Sequence, residues 1–286
     1  MEQTKGYWRL EGKIWGLNNK KPFENSVKRN LSFGIQSSRT NTNYVQVGDW
    51  KNSKLNVKVK VNKDEEVKEL SEQDAIDFIK ENFKDGDSVY LNVRSDVDTY
   101  HKRLNFIVSQ IYKKSEPIDF DLEDFTEVNE LKQSIVITEK PSDEKLKVGV
   151  SKYKGEMVEV ELNLSDEDVK DYFLENAKSG DFMNVFIKIN NKPIYEDGKG
   201  NDNSELDIKT TKTLKGRVVE QGTKKNKFRK ITGHDLSFDV IDVDIEKTES
   251  KKYTREEIRE ALEIANVEPK KSNNDTVVID DDDMPF

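Results

Sequence analysis

Two stretches of this chain, 94 residues apart, read almost alike. Ser71–Asp87 is SEQDAIDFIKENFKDGD and Ser165–Asp181 is SDEDVKDYFLENAKSGD, with eight of seventeen positions identical, among them Ser71/Ser165, Asp74/Asp168, Asn82/Asn176, Gly86/Gly180 and Asp87/Asp181. Each opens on a serine N-cap with an acid three residues on, and carries apolar residues at helical spacing. Each then reaches a glycine suited to a C-terminal cap, so each predicts a short helix. The flanks repeat too. Leu55–Val61 and Val158–Leu162 alternate with period two before the helices, and Ser88–Arg94 and Phe182–Ile189 do so after them. A chance likeness between amphipathic helices would not extend to neighbouring strands, which favours a duplicated module.

Three strands, a helix and two more strands is the order of an OB-fold, a five-stranded Greek-key barrel with its helix between strands three and four. The expected fold class is therefore mainly β, with two tandem OB-like barrels and an acidic C-terminal tail. Module one is expected over 1–115 and module two over 126–247, joined by the acidic link Asp119–Phe125. The remainder, 248–286, holds a helix candidate at Thr254–Ala265 and a polar spacer. Only 33% of the 286 residues are hydrophobic while 37% are charged, which suits small barrels better than one large enzyme core. The absence of cysteine excludes disulfides, Cys-ligated zinc and thiol catalysis, and fits a reducing compartment. No apolar run approaches the roughly 18 residues of a membrane span, and the N-terminus lacks a signal-peptide core. A soluble, cytoplasmic protein with no membrane partner is expected.

The net charge of −9 conceals an uneven distribution. Residues 1–63 hold 13 Lys/Arg against 4 Asp/Glu, 208–231 hold 9 against 1, and 248–286 hold 6 against 11. Two basic regions and an acidic end are the relevant quantities. Trp8, Trp15 and Trp50 all fall in the first basic region. Alternation along the first strand sends Trp8, Leu10, Gly12 and Ile14 one way, and Tyr7, Arg9, Glu11, Lys13 and Trp15 the other. A core accounts for the first set. The second mixes rings with cations, the surface that stacked bases and phosphates require. Later strands continue it with Asn56, Lys58 and Lys60 opposite Leu55, Val57 and Val59, and with Tyr90, Asn92 and Arg94 opposite Val89, Leu91 and Val93.

A strand aromatic fills a core more often than it stacks on a base, so Trp8 and Phe33 are assigned to the core. Single lysines at strand edges commonly serve solubility, and Lys13, Lys58 and Lys60 count only as a set. Arg39 joins them because its loop, Ser37–Asn43, is long and polar; Tyr44, Trp50 and Tyr100 are loop-side aromatics. Module two has Glu159 and Glu161 where module one has Lys58 and Lys60. Its cations gather instead in Lys209, Lys212, Lys215, Arg217, Lys224, Lys225, Lys227, Arg229 and Lys230, interleaved with Phe228. That reads as a basic ribbon extending the nucleic-acid track or holding the acidic tail.

The chain ends Asp280, Asp281, Asp282, Asp283, Met284, Pro285, Phe286. A pocket can take the Phe286 ring and a basic group its carboxylate, while Pro285 restricts the conformations and the aspartates steer toward a basic partner. This run resembles the acidic tip of bacterial and phage single-stranded DNA-binding proteins. The resemblance implies that the tip recruits replication and repair enzymes, with single-stranded DNA as the other partner and a phage- or mobile-element-type protein in host cytoplasm as its setting. It covers only the last nine residues or so. A homodimer would assemble four OB modules, although nothing in the sequence marks an interface.

No reactive constellation is visible, so neither enzyme activity, a metal nor a cofactor is expected. His101 and His234 stand alone, and Gly198–Gly200 lacks the loop and hydroxyl of a P-loop. Asp239, Asp242, Asp244 and Glu246 would suit a divalent-metal nuclease. The simpler expectation makes Asp242, Asp244 and Glu246 the solvent side of a strand whose other side is Ile241, Val243 and Ile245. A replisome adaptor whose barrels bind protein is the remaining alternative.

Overall fold

The computed structural model describes residues 1–142, 144–152, 155–195, 207–212, 218–223, 231–245 and 252–266. Within these the chain is mainly β, with a 13-stranded mixed sheet, a two-stranded ribbon and three helices. The first half runs β1 (Gly6–Trp15), β2 (Phe23–Glu24), β3 (Arg29–Gln36), β4 (Thr42–Val47), β5 (Asn56–Lys60), β6 (Lys68–Ser71), α1 (Glu72–Asn82), β7 (Ser88–Asp98) and β8 (Arg103–Lys113). The second runs β9 (Asn129–Ile137), β10 (Lys145–Ser151), β11 (Met157–Asn163), α2 (Glu167–Asn176), β12 (Phe182–Tyr195), β13 (Asp207–Lys212), β14 (Val218–Thr223), β15 (Ile231–Val243) and α3 (Arg255–Asn266).

Strand pairing closes a ring in each half. β1 pairs antiparallel with β3 and β3 with β4; β4 lies parallel to β8, which pairs antiparallel with β7, and β7 returns to β1. In the second half β9 pairs with β10 and β10 with β11; β11 lies parallel to β15, which pairs with β12, and β12 returns to β9. Both rings carry their helix between the third and fourth strands, and in both the third and fifth strands run parallel. That order is consistent with an OB-like fold. In the first ring β5 also runs alongside β8, so the parallel contact extends past the end of β4.

The residues shared by the duplicated segment do the same work twice. The helix ends when Phe83 N–H donates to Ile79 O, as Ala177 N–H does to Phe173 O. Asn82 and Asn176 side chains donate to carbonyls one turn back, on Phe78 and Tyr172. Gly86 N–H then reaches Ile14 O at the end of β1, and Gly180 N–H reaches Ile137 O at the end of β9, both at 2.8 Å. Asp87 and Asp181 accept from Lys84 and Lys178 N–H. Here the structure corrects the sequence. The glycines are not helix caps, because both helices end in extended residues, Phe83 and Ala177. Gly86 and Gly180, at φ 88° and 96°, instead serve the following turn, where a left-handed backbone favours glycine. Ser71 caps α1 as expected, but Asp166 rather than Ser165 caps α2.

The two rings are fused. β1 pairs with β9 from Gly6↔Gln133 to Leu10↔Asn129, so one strand of each ring lies against the other. The apolar interior is continuous between them. Fully buried Trp8 donates its indole N–H to Asn129 Oδ1 at 2.9 Å, and its ring meets Phe106 edge-on at 4.9 Å. A polar knot ties the same junction. The Asn41, Asn43 and Asn129 amides all donate to the Ile189 carbonyl on β12, while Ser37, Asn41 and Asn129 donate to Glu127. Part of the polar loop expected around Arg39 therefore points inward.

α3 rests on the second ring. Thr254 and Glu257 form a reciprocal capping box, and Ile258 and Ala261 pack on Val136, Met157 and Phe182. Two further expectations fail. Leu55 lies just before β5 and is exposed. Ile241 and Ile245 are exposed rather than inward: the β12–β15 register slips at Ile241, so that Ile187 faces Val240 and Phe186 faces Asp242, and Ile245 lies beyond the last residue of β15. Ile241 is the extra residue of this bulge, and a one-residue slip reverses which side chains face the core.

Candidate nucleic-acid interface

β1 separates its side chains cleanly: Trp8, Leu10 and Ile14 are at most 2% exposed, while Tyr7 is 63% and Trp15 52% exposed. The reason is local. Every second residue of GYWRLEGKIW is apolar or glycine, so only one face of the strand can line a core. What the other face meets depends on pairing. Tyr7 lies opposite Arg94 on β7 and opposite Lys132 on β9, and Lys132 lies opposite Phe186 on β12. Arg94, Tyr7, Lys132 and Phe186 thus form one transverse row that alternates cation and ring across both halves of the molecule. Lys132 stands 4.9 Å over the Phe186 ring and pairs with Asp244.

Two more rows run beside it on the first ring. Lys58, Gln110, Asn92, Arg9 and Glu130 are successive partners on β5, β8, β7, β1 and β9. Lys60, Tyr112, Tyr90 and Glu11 form the next. Tyr90 and Tyr112 stack at 6.3 Å, and Tyr90 O–H donates to Asn92, which donates to Gln110. This fixes a polar, ring-bearing floor between the lysines of β5 and Arg9.

At the far end of β1 the partners change. Trp15 lies opposite Gly34, and Gly34 opposite Tyr44. A Cβ at Gly34 would sit 3.3 Å from Trp15 Cε3, tighter than an ordinary contact, so glycine leaves room for the indole beside β3. Tyr44 is half-buried, edge-on to His234 at 5.9 Å, and burial pushes its phenol above the usual value. Lys13 and Arg39 flank this end.

The expected residues therefore divide. Tyr7, Arg9, Lys58, Lys60, Tyr90 and Arg94 share one surface, and Lys13 and Trp15 continue it along β1 toward Arg39 and Tyr44. Trp50 stands apart, beneath the Lys28 ammonium at 4.4 Å, and Tyr100 is exposed at the β7–β8 turn. Arg94 is not a free cation: its guanidinium meets the buried Glu72 carboxylate at 2.8 Å. Lys209 and Lys212 fall on β13, which pairs with β14 as a ribbon. Lys224, Lys225, Lys227, Phe228 and Arg229 lie outside the described residues, as do Lys215, Arg217, Lys230, Gly198–Gly200 and the tip Asp280, Asp281, Asp282, Asp283, Met284, Pro285 and Phe286.

Sequence reading missed Lys132, Phe186, Tyr112 and Gln110. Alternation in Asn129–Ile137 and Phe182–Ile189 marks the first two as outward, but no local signal places β9 beside β1. On the second ring, the face of β10 and β11 is more acidic: Lys145 pairs with Glu161, Lys147 with Glu139, and Glu159 accepts from Thr138. Asp239 accepts from Asn163 and Asn190, and Glu246 lies outside the described residues. No group of three or more His, Cys, Asp or Glu suited to a metal occurs among the described residues, and none of their helices is long and apolar enough to cross a membrane.

Comparison with known proteins gives the chain its family. A family model described as YorF matches residues 12–275. The chain belongs to the YorF family. That match spans both rings and both copies of the repeat. No curated protein matches this YorF-family chain. Among solved structures it is similar to a crystallised deletion mutant of the single-stranded DNA binding protein from Thermus aquaticus, at 13% identity and a TM-score of 0.41, covering 67% of this chain and 89% of that one. The strand pairings above, rather than this likeness, define the fold.

Proposed function

We propose that this chain binds single-stranded DNA without sequence preference, as a coating protein of replication or recombination. The observation that carries the reading is the outward face of β1 with its neighbours. Rings at Tyr7, Trp15, Tyr90, Tyr112 and Phe186 are interleaved with cations at Arg9, Lys13, Lys58, Lys60 and Lys132 on one continuous surface. Exposed bases stack on ring faces for about 1–3 kcal/mol each, and the cations neutralise phosphates, which makes affinity fall with salt. No bond is broken, and no cofactor is used.

In this reading the two rings are tandem OB modules, over 1–115 and 126–247, followed by a tail over 248–286. The matched hydrogen bonds at Gly86 and Gly180 support the duplication. The track follows the first ring and crosses to β9 and β12, bypassing the ion-paired face of β10 and β11. The Asp280–Phe286 tip recruits partner enzymes in the cytoplasm of the cell, a host cell if the chain is phage-encoded. A salt-titrated gel shift tests the proposal. Oligo-dT should be retarded at low salt, released as salt rises, and preferred over duplex of equal length. Equal retention of duplex, or none of either, overturns it. A protein-binding adaptor would give the latter result.

A further inference from the structure

The acidic link between the halves does more than connect them. It leaves β8, is pinned where Ile118 N–H donates to Ser88 Oγ at 2.9 Å, and is pinned again where Glu11 N–H on β1 donates to Val128 O at 2.9 Å. Between these points it arches over the Trp15 end of β1. There Phe120 lies under the Lys13 ammonium at 5.0 Å, and Asp121 pairs with the Arg39 guanidinium. Phe125 holds the Phe120 ring edge-on at 5.4 Å, and Asp121 N–H turns onto Asp119 Oδ1, which fixes the order of ring and carboxylate.

Resting on the nucleic-acid reading above, we propose that this connector is a built-in competitor for the DNA track. It offers a carboxylate to the guanidinium and a ring to the ammonium, the two interactions by which a phosphate and a base would hold the same side chains. Its tether gives it a high effective concentration at that site. The pairing is also easy to displace. Arg39 and Asp121 are 65% and 68% exposed, and an ion pair so open to water is weak. An incoming strand with several phosphates therefore lifts the connector off Lys13 and Arg39, while Tyr7 and Arg9, farther along β1, are accessible throughout.

The test compares wild-type chain with the doubly substituted Asp119→Asn/Asp121→Asn, which keeps the Oδ1 acceptor of the turn, and separately with Phe120→Ala. Oligo-dT affinity is measured across salt for each. The double variant should bind roughly two- to fivefold tighter at low salt, as expected for release from an exposed ion pair. Its dependence on log salt should steepen by about 0.7, the share of the one cation, Arg39, freed to meet phosphate. Phe120→Ala should tighten binding without changing the slope by more than one cation's share. If wild type binds and both variants match it in affinity and slope, the competitor role is wrong although the interface stands. If neither wild type nor variants bind at any salt, the interface itself is wrong and the competitor role falls with it.

Discussion

Trp8 and Trp15 share one strand and opposite fates. Trp8 is 1% exposed with its indole N–H held by Asn129, whereas Trp15 is 52% exposed over Gly34. Replacing each with alanine should separate stability from binding. Trp8→Ala removes a large buried side chain and orphans the Asn129 acceptor, and should destabilise by about 3–5 kcal/mol in a denaturant titration. Trp15→Ala should shift stability by less than about 0.5 kcal/mol, yet weaken oligo-dT binding by about 1–3 kcal/mol. Arg94 belongs with Trp8 despite its place in the row. Arg94→Ala would leave the 2%-exposed Glu72 carboxylate without its cation, so the expected loss is about 1–3 kcal/mol of folding stability, visible as a lower Tm without DNA. Alternation alone is enough to separate Trp8 from Trp15. The partner of Arg94 is invisible to it, because Glu72 lies on a helix that only the tertiary fold brings to β7.

At the scale of elements, the turn after each helix and the junction between rings have opposite legibility. Repetition exposed the turn: Asn82, Gly86 and Asp87 recur because each makes a backbone contact that its counterpart repeats. Even so, spacing alone places the glycine at the helix end, since it shows that a left-handed residue is needed nearby but not which turn needs it. The junction has no local pattern. Asn41, Asn43, Asn129 and Glu127 look like surface residues and become buried only when β12 is laid against them. The bulge at Ile241 is similarly silent, as a register slip is decided by the partner strand. The junction yields a prediction about acid. Burial opposes ionisation of Glu127, but the Lys188 ammonium at 2.8 Å and donation from Ser37 and Asn41 outweigh it and hold the carboxyl below the usual range. A carboxyl depressed in the folded state stabilises fully above its ordinary unfolded pKa, and that stabilisation is lost as pH falls through the lower folded value. Thermal melts from neutral to acid should therefore show a falling Tm through the ordinary glutamate range and below. Glu127→Gln should start lower at neutral pH and lose less on acidification; an unchanged acid limb would remove Glu127 from the account.

For the molecule as a whole, fusion of the rings through β1 and β9 matters more than their duplication. The fusion aligns Arg94 and Tyr7 of one ring with Lys132 and Phe186 of the other, so the proposed DNA track can pass from the first ring to the second without leaving the surface. The corresponding β10–β11 face carries Glu159 and Glu161 where the first ring has Lys58 and Lys60, which disfavours phosphate there and accounts for a proposed track on one side only. The sequence made the mainly β character, the strands flanking each helix and the β1 stripe legible, since these rest on short-range periodicity. The crossing to β12 was not legible, because it rests on one long-range strand pairing. The most direct test of the central claim is ultraviolet cross-linking of oligo-dT to the full chain, with the attached peptides mapped by mass spectrometry. Adducts should concentrate on Tyr7, Trp15, Tyr90 and Phe186 and disappear at high salt. Adducts absent from β1 and β12, with labelling confined to other segments, would contradict the account.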